Sequence, residues 1–388
     1  MKILIAHNYY LQAGGEDVVF KEEAKLLEFH GHQVYQCSMN NETINEMNSI
    51  EVGLKTIWNP DGYQLIRENI EKTNPDIVHF HNTFPLISPA GYEAAYDCKI
   101  PVVQTLHNYR LLCLNATLMR DGKVCELCIG RTPPIPGIRY KCYHEAFLPS
   151  ATVAMMLTLH RFRKTFQTRV NSFIVLSKFA ENLFIRAGIP KEKTHIKPNF
   201  IFDNSTNAQP AIDKKYFLFV GRLSQEKGIL SLLEAVKKTQ YPIKIVGSGP
   251  LENLVIQYIN ENNLSNCEYL GQVARDEVLS LMQGAIAIII PSLWYEGFPM
   301  IIAEAFSQGT PILASRLGVL GEILDEVECG IGFSPGDSNA IMEAMTIAWK
   351  DLLTMEKFGV NAYHEFQKRF SSNAAYQSLL RIYETVIT

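Results

Sequence analysis

The sequence lacks the features that would place the chain across a membrane or on nucleic acid. Its longest uncharged run, residues 278–295, reaches the 18 residues of a short membrane span, but Gln283-Gly284 and Pro291-Ser292 interrupt it. The apolar run near residue 3 is too short for a secretory leader. Positive charge is not in excess, because 36 Lys and Arg stand against 40 Asp and Glu. We therefore expect a soluble, cytoplasmic protein that does not bind nucleic acid.

Disulfides and disorder are equally unexpected from the composition. Eight cysteines in 388 residues are too few for a disulfide scaffold, which favours a reducing compartment. Hydrophobic residues make up 47% of the chain and charged residues 20%, the balance of an ordinary globular protein. At the usual size of a domain, this length predicts two domains, or at most three.

Short apolar runs alternate with amphipathic stretches along the chain. Uniformly apolar strands separated by helices predict parallel βαβ units, with helices covering both faces of each sheet. The predicted strands are Ile3–Ala6, Gln33–Cys37, Asp76–Phe80, Val102–Leu106, Ser172–Leu176, His195–Lys197, Tyr216–Val220, Ile243–Val246, Cys267–Leu270, Ala285–Ile290, Pro311–Ala314 and Ile331–Phe333. The predicted helices include Glu16–Glu28, Gly62–Lys72, Glu226–Thr239, Leu251–Asn262, Asp276–Gln283, Met300–Ser307 and Asn339–Trp349. The seam Pro198–Asp213 has no periodicity, so we expect an α/β chain of two Rossmann-like domains.

A segment with two glutamates, residues 296–304, is the strongest indication of a ligand site. It follows the predicted strand Ala285–Ile290, and Pro299 suits the first turn of a helix because its missing N–H needs no partner there. Amides at the start of such a helix attract phosphate. Glu296 would precede the helix and Glu304 would lie about a turn inside it, where both could bind sugar hydroxyls. The alternatives are a cap residue with a solvated glutamate, or the acid/base pair of a glycosidase.

Two glycine-bearing loops follow other predicted strands of the second half. In the first, Arg222 supplies a planar fork of donors and Lys227 a compact charge, a combination suited to a diphosphate. A departing diphosphate needs such cations because negative charge grows on it as the bond breaks. In the second, Gly247 opens the turn 247–250 before a predicted helix. Taken alone, Arg222 and Lys227 are explained equally well as surface residues.

Together, these segments resemble the retaining GT-B glycosyltransferases of family 4, the glycosyl transferases group 1, and the resemblance covers nearly the whole chain. It implies that Arg222 and Lys227 hold the diphosphate of a nucleotide sugar. It also implies that Glu304 binds the ribose hydroxyls and that Glu296 contacts the donor sugar. The other residues that the resemblance places at the donor are Gly247, Val273, Gly297, Phe298, Pro299, Met300 and Ile301.

The resemblance implies an architecture and a reaction as well. In the GT-B fold, two Rossmann-like domains have parallel sheets that face each other across a central cleft. Residues 1–200 would form the acceptor-side domain and residues 208–372 the nucleotide-sugar domain, and a helix at residues 373–388 would pack back on the first domain. The chain has no Asp-x-Asp triplet, so a metal-clamped donor site is not supported. The implied transfer is metal-independent and retaining, and the leaving phosphate helps to accept the proton of the acceptor.

Three features in the first half of the chain are further candidates for the active site. The pair Gly14-Gly15 opens a predicted helix, but it is not the G-x-G-x-x-G fingerprint of an NAD enzyme. It resembles the family loop that approaches the donor phosphates and sugar. His107 ends a predicted strand and resembles the family histidine that contacts the donor sugar. His79 and His81 share one face of a strand, either as a metal pair without an evident third ligand or as ordinary strand-end histidines.

Four of the cysteines cluster in a long predicted loop. They are Cys113, Cys125, Cys128 and Cys142, and the central Cys-x2-Cys with two flanking cysteines fits the spacing of a structural zinc site. A loop of this length has few other means of ordering itself. The alternative is an incidental cluster of partly buried thiols.

A basic and apolar stretch, residues 131–169, follows the cysteines. It carries seven cations against Glu145 alone, and its centre, Ala146–Leu159, is almost wholly apolar. A helix lying on an anionic membrane surface has this pattern, and so does a core helix with a solvated end. The first interpretation predicts peripheral attachment to the inner face of the membrane, which suits a lipid-linked acceptor.

These observations predict an enzyme that transfers a sugar from a nucleotide-diphosphate sugar, with UDP expected ahead of GDP by family habit. The acceptor would be a saccharide or a lipid-linked molecule in the synthesis of surface polysaccharide or glycolipid. We expect no cofactor beyond the donor and the structural zinc. One alternative is a sugar-nucleotide epimerase of the same fold. Another is a catalytically silent subunit that only binds nucleotide sugar.

Overall fold

The computed structural model describes residues 1–11, 14–202 and 214–387, which divide into two compact units. The first unit takes in Met1–Leu118, Cys125–Phe202 and Ala375–Thr388, and the second takes in Met119–Val124 and Asp203–Ala374. Most of the predicted linker Pro198–Asp213 lies outside the described residues.

The helices and strands alternate along each unit. The strands are β1 Lys2–Tyr9, β2 Gln33–Asn40, β3 Ile77–Asn82, β4 Val102–Leu106, β5 Met119–Arg120, β6 Lys123–Val124, β7 Ser172–Val175, β8 Thr194–Ile196, β9 Tyr216–Val220, β10 Ile243–Val246, β11 Cys267–Gly271, β12 Ala285–Ile290, β13 Ile312–Ser315 and β14 Gly330–Phe333. The α-helices are α1 Gly15–Phe29, α2 Ser49–Ile57, α3 Pro60–Thr73, α4 Ala90–Asp97, α5 Ile135–Arg139, α6 Phe147–Phe162, α7 Thr165–Thr168, α8 Lys178–Arg186, α9 Ile229–Val236, α10 Glu252–Glu261, α11 Arg275–Gln283, α12 Met300–Ser307, α13 Val319–Glu326, α14 Ser338–Lys350, α15 Leu352–Glu365 and α16 Ser372–Ile387.

The first unit is built on a six-stranded parallel sheet with the order β2-β1-β3-β4-β7-β8. Its inner strand β1 is apolar and fully buried from Ile3 to Ala6, as expected where helices cover both faces of a sheet. The C-terminal helix α16 belongs to this unit. Leu379, Ile382 and Tyr383 share one buried cluster with β1 and α1.

The second unit repeats this plan with the strand order β11-β10-β9-β12-β13-β14, again wholly parallel. Its core joins Phe217 and Ile289 from the sheet with Leu232 and Met345 from helices α9 and α14. In both units, strands separated by helices form the doubly wound α/β arrangement that the sequence predicts.

The predicted helix Glu226–Thr239 is wrong at its start. A short 3-10 turn occupies Gln225–Lys227, and α9 begins only at Ile229. Between them Gly228 adopts a left-handed φ of 72°, and a Cβ at this position would lie 1.8 Å from the carbonyl oxygen of Pro291. The left-handed conformation of Gly228 therefore separates this turn from α9, and the neighbouring loop leaves no room for a side chain there.

The long uncharged run 278–295 divides as the sequence predicts. Helix α11 ends at Gln283, and the buried strand β12 follows at once. Among the helices of the described residues, none has both the length and the apolar character that a membrane crossing needs.

Candidate functional site

The loops that follow β9 and β12 meet at the carboxyl edge of the second sheet. The two strands are parallel neighbours, so the loops that leave them lie side by side. Lys227, on the first loop, places its Nζ 2.8 and 3.0 Å from the two carboxylate oxygens of Glu296, on the second. The backbone links the same loops, because the Leu293 amide donates to the carbonyl oxygen of Glu226 at 2.8 Å. The structure thus brings together two of the residues predicted for the donor site.

Glu296 is held in its ionised form. It is only 4% exposed, and burial by itself raises its pKa. Lys227 and the Ser292 hydroxyl, which donates to Oε1 at 2.7 Å, outweigh burial and hold the pKa below its usual value. The Lys227 ammonium also lies 5.5 Å from the centre of the Trp294 ring. A carboxylate fixed in this way accepts hydrogen bonds from hydroxyl groups. Sequence reasoning missed Ser292 and Trp294, whose only mark is their position shortly after β12.

Glu304, the second glutamate of the motif, has a different environment. It lies within α12, which begins at Met300 directly after Pro299, as predicted. Burial raises the pKa of Glu304, and the Arg275 guanidinium, with Nε 3.5 Å from Glu304 Oε1, offsets this only in part. The two glutamates therefore titrate on opposite sides of their usual value. Arg275 opens α11 and was not predicted as a site residue.

The remaining predicted donor residues lie on the same edge of the second sheet. Arg222 lies two residues after β9 at an exposed position, and Val273 lies between β11 and α11. Gly297 and Phe298 lie between β12 and α12, and Ile301 lies in the first turn of α12. Phe298 is buried, with its ring 5.1 Å from that of Phe370.

Backbone hydrogen bonds tie the loops after β9, β10 and β11 together. The Gly247 amide donates to Gly271 O at 2.8 Å, and the Leu223 amide donates to Ser248 O at 2.9 Å. Gly247 has a φ of 130°, and a Cβ there would lie 1.9 Å from the carbonyl oxygen of Gly221. The close approach of protein backbone is thus enough to require this glycine, whatever it contacts in the donor.

In the first unit, the described end of the glycine loop is fixed by Asp17. Helix α1 begins at Gly15, and the Gly14 amide donates to Asp17 Oδ2 at 2.8 Å. The other oxygen of Asp17 lies 2.7 Å from His7 Nε2, and the His7 ring stacks on Phe20 at 4.8 Å. The loop end is therefore anchored to β1 through a buried pair. Its predicted approach to the donor stays a prediction.

His107 lies just after β4, is half-buried, and contacts a set of buried polar side chains. Its Nε2 is 3.0 Å from Nδ1 of His81 on β3. His81 and His79 both face Glu23 of α1, at 3.2 and 3.1 Å from the same carboxylate oxygen. Burial lowers the pKa of His107 well below its usual value, and His81 adds to this effect. Sequence reasoning found the histidines but missed Glu23, which lies on another element and carries no motif.

Glu23, His79 and His81 together have the donor types and spacing of a metal site. The other oxygen of Glu23, however, lies 2.6 Å from the Lys197 ammonium, and both of these side chains are buried. This carboxylate is therefore already neutralised by a cation. His79 in addition uses both ring nitrogens in hydrogen bonds to hydroxyl groups, at 2.7 and 2.8 Å. We assign the cluster to a polar network around an ion pair rather than to a metal centre.

The four cysteines predicted to bind zinc lie between β4 and α6, and none of them forms a disulfide within the described residues. Burial raises the pKa of Cys128 to about 11, and Cys113, Cys142 and Cys125 add to this effect, so the four lie in one region. Within the described residues, however, no three of these thiols lie within 4.8 Å of one another. Cys113 Sγ instead contacts Asn115 Oδ1 at 2.9 Å. The thiols are close without forming a coordination shell, and zinc binding stays a prediction.

The apolar stretch after the cysteines forms α6, and only part of it is buried. Val153 and Leu157 are buried, whereas Leu148 is 75% and Phe162 is 73% exposed. Helix α6 packs against α2, which exposes Leu54. A cavity of about 790 Å³, lined mainly by apolar side chains, lies beside these two helices. The two helices thus present a continuous apolar surface.

The cations of the stretch 131–169 fall into two groups. Arg161 donates to backbone carbonyl groups, among them that of Leu111 at 2.6 Å, and Arg169 pairs with Glu93 at 2.7 Å. These two stabilise the fold. The other five are exposed: Arg131, Arg139, Lys141, Arg163 and Lys164.

Comparisons with known proteins identify the family. Residues 13–203 match the family model for glycosyltransferase family 4, and residues 202–365 match that for glycosyl transferases group 1. An uncharacterized glycosyltransferase of Methanocaldococcus jannaschii is 25% identical over 99% of this chain and 98% of its own length. The O-antigen chain mannosyltransferase C of Escherichia coli is 28% identical over 45% of this chain and 48% of its own.

A solved structure shows the same fold. Anabaena HepE in complex with UDP has a TM-score of 0.67 at 18% identity, over 99% of this chain and all of that one. Because adjoining family models together match residues 13–365 and the full-length fold is shared, the chain belongs to family 4 of the GT-B glycosyltransferases.

Proposed function

We propose that this protein transfers a sugar from a nucleotide-diphosphate sugar to an acceptor hydroxyl, without a metal and with retention of the anomeric configuration. The observation that carries the proposal is the contact between Lys227 and the ionised Glu296 at the edge of the second sheet. It places a cation suited to a leaving diphosphate beside an acceptor suited to sugar hydroxyls.

The main predicted donor residues have the following roles in this proposal. Arg222 and Lys227 stabilise the negative charge that grows on the diphosphate. The amides at the start of α12 add to this stabilisation, since a helix N-terminus attracts anions. Glu296 binds the donor sugar, Glu304 binds the ribose hydroxyls, and the backbone at Val273 holds the base.

The proposed reaction needs no covalent intermediate. The bond between the anomeric carbon and the diphosphate oxygen breaks, and the acceptor oxygen bonds to the same face of that carbon. The proton of the acceptor hydroxyl passes to an oxygen of the leaving phosphate. The products are a glycoside with its configuration retained and a nucleoside diphosphate.

The relatives support the choice of donor and acceptor. The HepE structure contains UDP, and the E. coli relative is a mannosyltransferase of the O-antigen chain. We therefore propose a UDP-sugar ahead of a GDP-sugar as the donor. As the acceptor we propose a saccharide or lipid-linked molecule of surface polysaccharide or glycolipid synthesis.

Two further parts of the proposal concern the first unit. The exposed apolar residues of α2 and α6, with the five exposed cations, attach the protein to the anionic inner face of the membrane. The four clustered cysteines, whose spacing in the sequence fits a structural zinc site, would hold that zinc. Stoichiometric zinc in the purified protein supports the second point, and an active protein without zinc removes it.

The proposal is tested by a thermal-shift panel of UDP, GDP, ADP and their hexose conjugates, followed by turnover with the sugar nucleotide that binds. A bound nucleotide raises the melting temperature by mass action. NMR of the product must show the same anomer as the donor. No stabilisation by any nucleotide would overturn the donor site, and an inverted product would overturn retention. Formation of an epimeric sugar nucleotide would identify the protein as an epimerase. Binding of a sugar nucleotide without transfer to any acceptor would identify it as a silent subunit.

A further inference from the structure

His107 contacts a network of buried polar side chains. This network contains more polar groups than are required to satisfy the hydrogen bonds of one histidine at the end of a strand. Glu23 from α1, His79 and His81 from β3, and Lys197 after β8 are all buried. Three separate parts of the first unit therefore meet at Glu23, and His81 links them to His107. Burying so many polar groups is costly unless they are paired, so the arrangement calls for an explanation.

The centre of the network is a carboxylate that keeps its charge. Glu23 Oε2 lies 2.6 Å from the Lys197 ammonium, and both side chains are at most 2% exposed. Burial by itself raises the pKa of Glu23, but Lys197, followed by His81 and His79, holds the pKa well below its usual value. The network therefore contains a fixed negative charge that faces the two histidines of β3.

This charge decides which nitrogen of His81 carries the proton. His81 Nε2 lies 3.2 Å from Glu23 Oε1. The contact is not aligned as a linear hydrogen bond, but a bare nitrogen lone pair facing a carboxylate oxygen at this distance would be repelled by it. The proton of neutral His81 is therefore on Nε2, and its Nδ1 is an acceptor.

The same reasoning extends to His107. Its Nε2 lies 3.0 Å from His81 Nδ1, and the two rings are inclined by only 21°. Since His81 Nδ1 accepts, His107 Nε2 must donate, and the proton of His107 is also on Nε2. The remaining nitrogen of His107, Nδ1, is then left with a lone pair.

We propose that Glu23 and His81 are positioning residues that fix His107 in the Nε2–H tautomer, so that its Nδ1 accepts a hydrogen bond from a hydroxyl of the donor sugar. This inference rests on the proposed transfer reaction and on the contact with the donor sugar that the family resemblance implies for His107. It deepens that function, because it makes His107 an acceptor and assigns a purpose to the buried charge pair. Partners that fix the tautomer of a functional histidine are worth roughly 10- to 100-fold in activity at metal sites.

A metal ion in the same cluster would produce the opposite result. An ion bound to His81 Nε2 would leave the proton on Nδ1, and His81 would then donate to His107 Nε2. His107 would carry its own proton on Nδ1 and offer a donor to the sugar. The tautomer of His107 therefore separates the two interpretations in a single measurement.

The test compares two histidines of one strand. His81→Phe removes the contact with His107, whereas His79→Phe removes an equally buried contact with Glu23 and leaves His107 untouched. We expect His81→Phe to lower turnover of the sugar nucleotide by about tenfold or more. We expect His79→Phe to lower the melting temperature without this loss. The affinity for UDP alone, which carries no sugar, should stay unchanged in both variants.

The tautomer is read by NMR of isotope-labelled histidine side chains, with the His107 signal assigned by its loss in His107→Gln. We expect a pyridine-like Nδ1 and a protonated Nε2 in the wild type, and a mixed tautomer in His81→Phe. If His81→Phe does not fold, Glu23→Gln combined with Lys197→Met removes the charge pair and should give the same mixture.

A proton on Nδ1 of His107 in the wild type overturns the inference. So does a turnover loss equal in His79→Phe and His81→Phe. The tautomer is measured without substrate, so it stands apart from the proposed function. The expected tautomer together with normal turnover in His107→Gln would reject only the sugar-binding role on which the inference rests.

Discussion

The pair formed by Lys227 and Glu296 is the residue-scale feature on which the donor site depends. We expect Lys227→Ala and Glu296→Ala each to lower kcat/KM by roughly 100-fold or more, because each removes preorganised charge from the reacting groups. Glu296→Ala should fold, since the Lys227 side chain left behind is 25% exposed and water can solvate its charge. Lys227→Ala should also fold, since the buried Glu296 carboxyl keeps its hydrogen bond from Ser292 and can take up a proton. Steady-state kinetics and thermal melting measure the two effects.

The control for this prediction is Lys244→Ala. Lys244 forms another lysine–glutamate pair of the same sheet, with Glu268 at 3.2 Å, but both side chains are more exposed. Surface pairs contribute little, so this variant should keep its rate and its melting temperature. Near-normal rates in both Lys227→Ala and Glu296→Ala would contradict the site assignment.

Glu296 also links the stability of the second unit to pH. Its folded-state pKa lies below the ordinary value of 4.5, so its ionised form stabilises the folded chain above that pH. This contribution is lost as the pH falls through the lower, folded-state value. We expect the stability advantage of the wild type over Glu296→Gln to be constant near neutral pH and to shrink below about pH 4.5. Chemical denaturation at a series of pH values measures it, and a pH-independent difference would contradict it.

The sequence could predict site residues that stand together in one motif. It could not predict residues that meet only because separate elements pack together. Glu296 and Glu304 stand in one motif, and α12 starts where Pro299 predicts. Glu23 and Lys197 meet only because α1 and the end of β8 pack on the same sheet. No periodicity or spacing in the sequence records that contact.

At the scale of elements, the buried strands were the most predictable part. A strand such as β12, apolar on both faces, leaves a continuous apolar run in the sequence. The wrong prediction that a helix starts at residue 226 has a different cause, which lies outside the local sequence pattern. Its amphipathic pattern is real, but Gly228 adopts a left-handed conformation that separates the first turn from α9, and Pro291 of another loop leaves no room for a Cβ there.

The close approach of the Pro291 carbonyl oxygen to Gly228 gives a prediction for the loop that carries Lys227. Gly228→Ala combines a left-handed φ of 72° with a Cβ that would lie 1.8 Å from Pro291 O. We expect it to lower stability by more than about 1 kcal/mol, the usual cost of a left-handed alanine, and to reduce turnover by displacing Lys227. Gly188→Ala is the matched control, because Gly188 has a φ of 94° but no atom within 4 Å of such a Cβ. Equal losses of stability in the two variants would show that the loop moves to accommodate the added Cβ, which would contradict the prediction.

At the scale of the whole molecule, the net charge of −4 conceals an uneven distribution. The only acidic residue of the stretch 131–169 is Glu145, and five of its seven cations are exposed near the apolar residues of α6. The structure changes the sequence-based view of this stretch, because Arg161 and Arg169 have partners within the fold. A smaller set of cations is therefore available to an anionic surface.

This distribution predicts binding to anionic vesicles that salt weakens. We expect the protein to float with vesicles that contain phosphatidylglycerol, to float less as salt rises, and not to float with neutral vesicles. Leu148→Ser combined with Phe162→Ser should reduce binding, since both side chains are about three-quarters exposed on α6. Phe29→Ser is the control, because Phe29 is 79% exposed on α1, outside this surface. An equal loss of binding in the control would mean that any exposed apolar side chain contributes to binding, wherever it lies. If the wild type does not bind anionic vesicles, the membrane proposal is wrong, but the proposed donor site is unaffected.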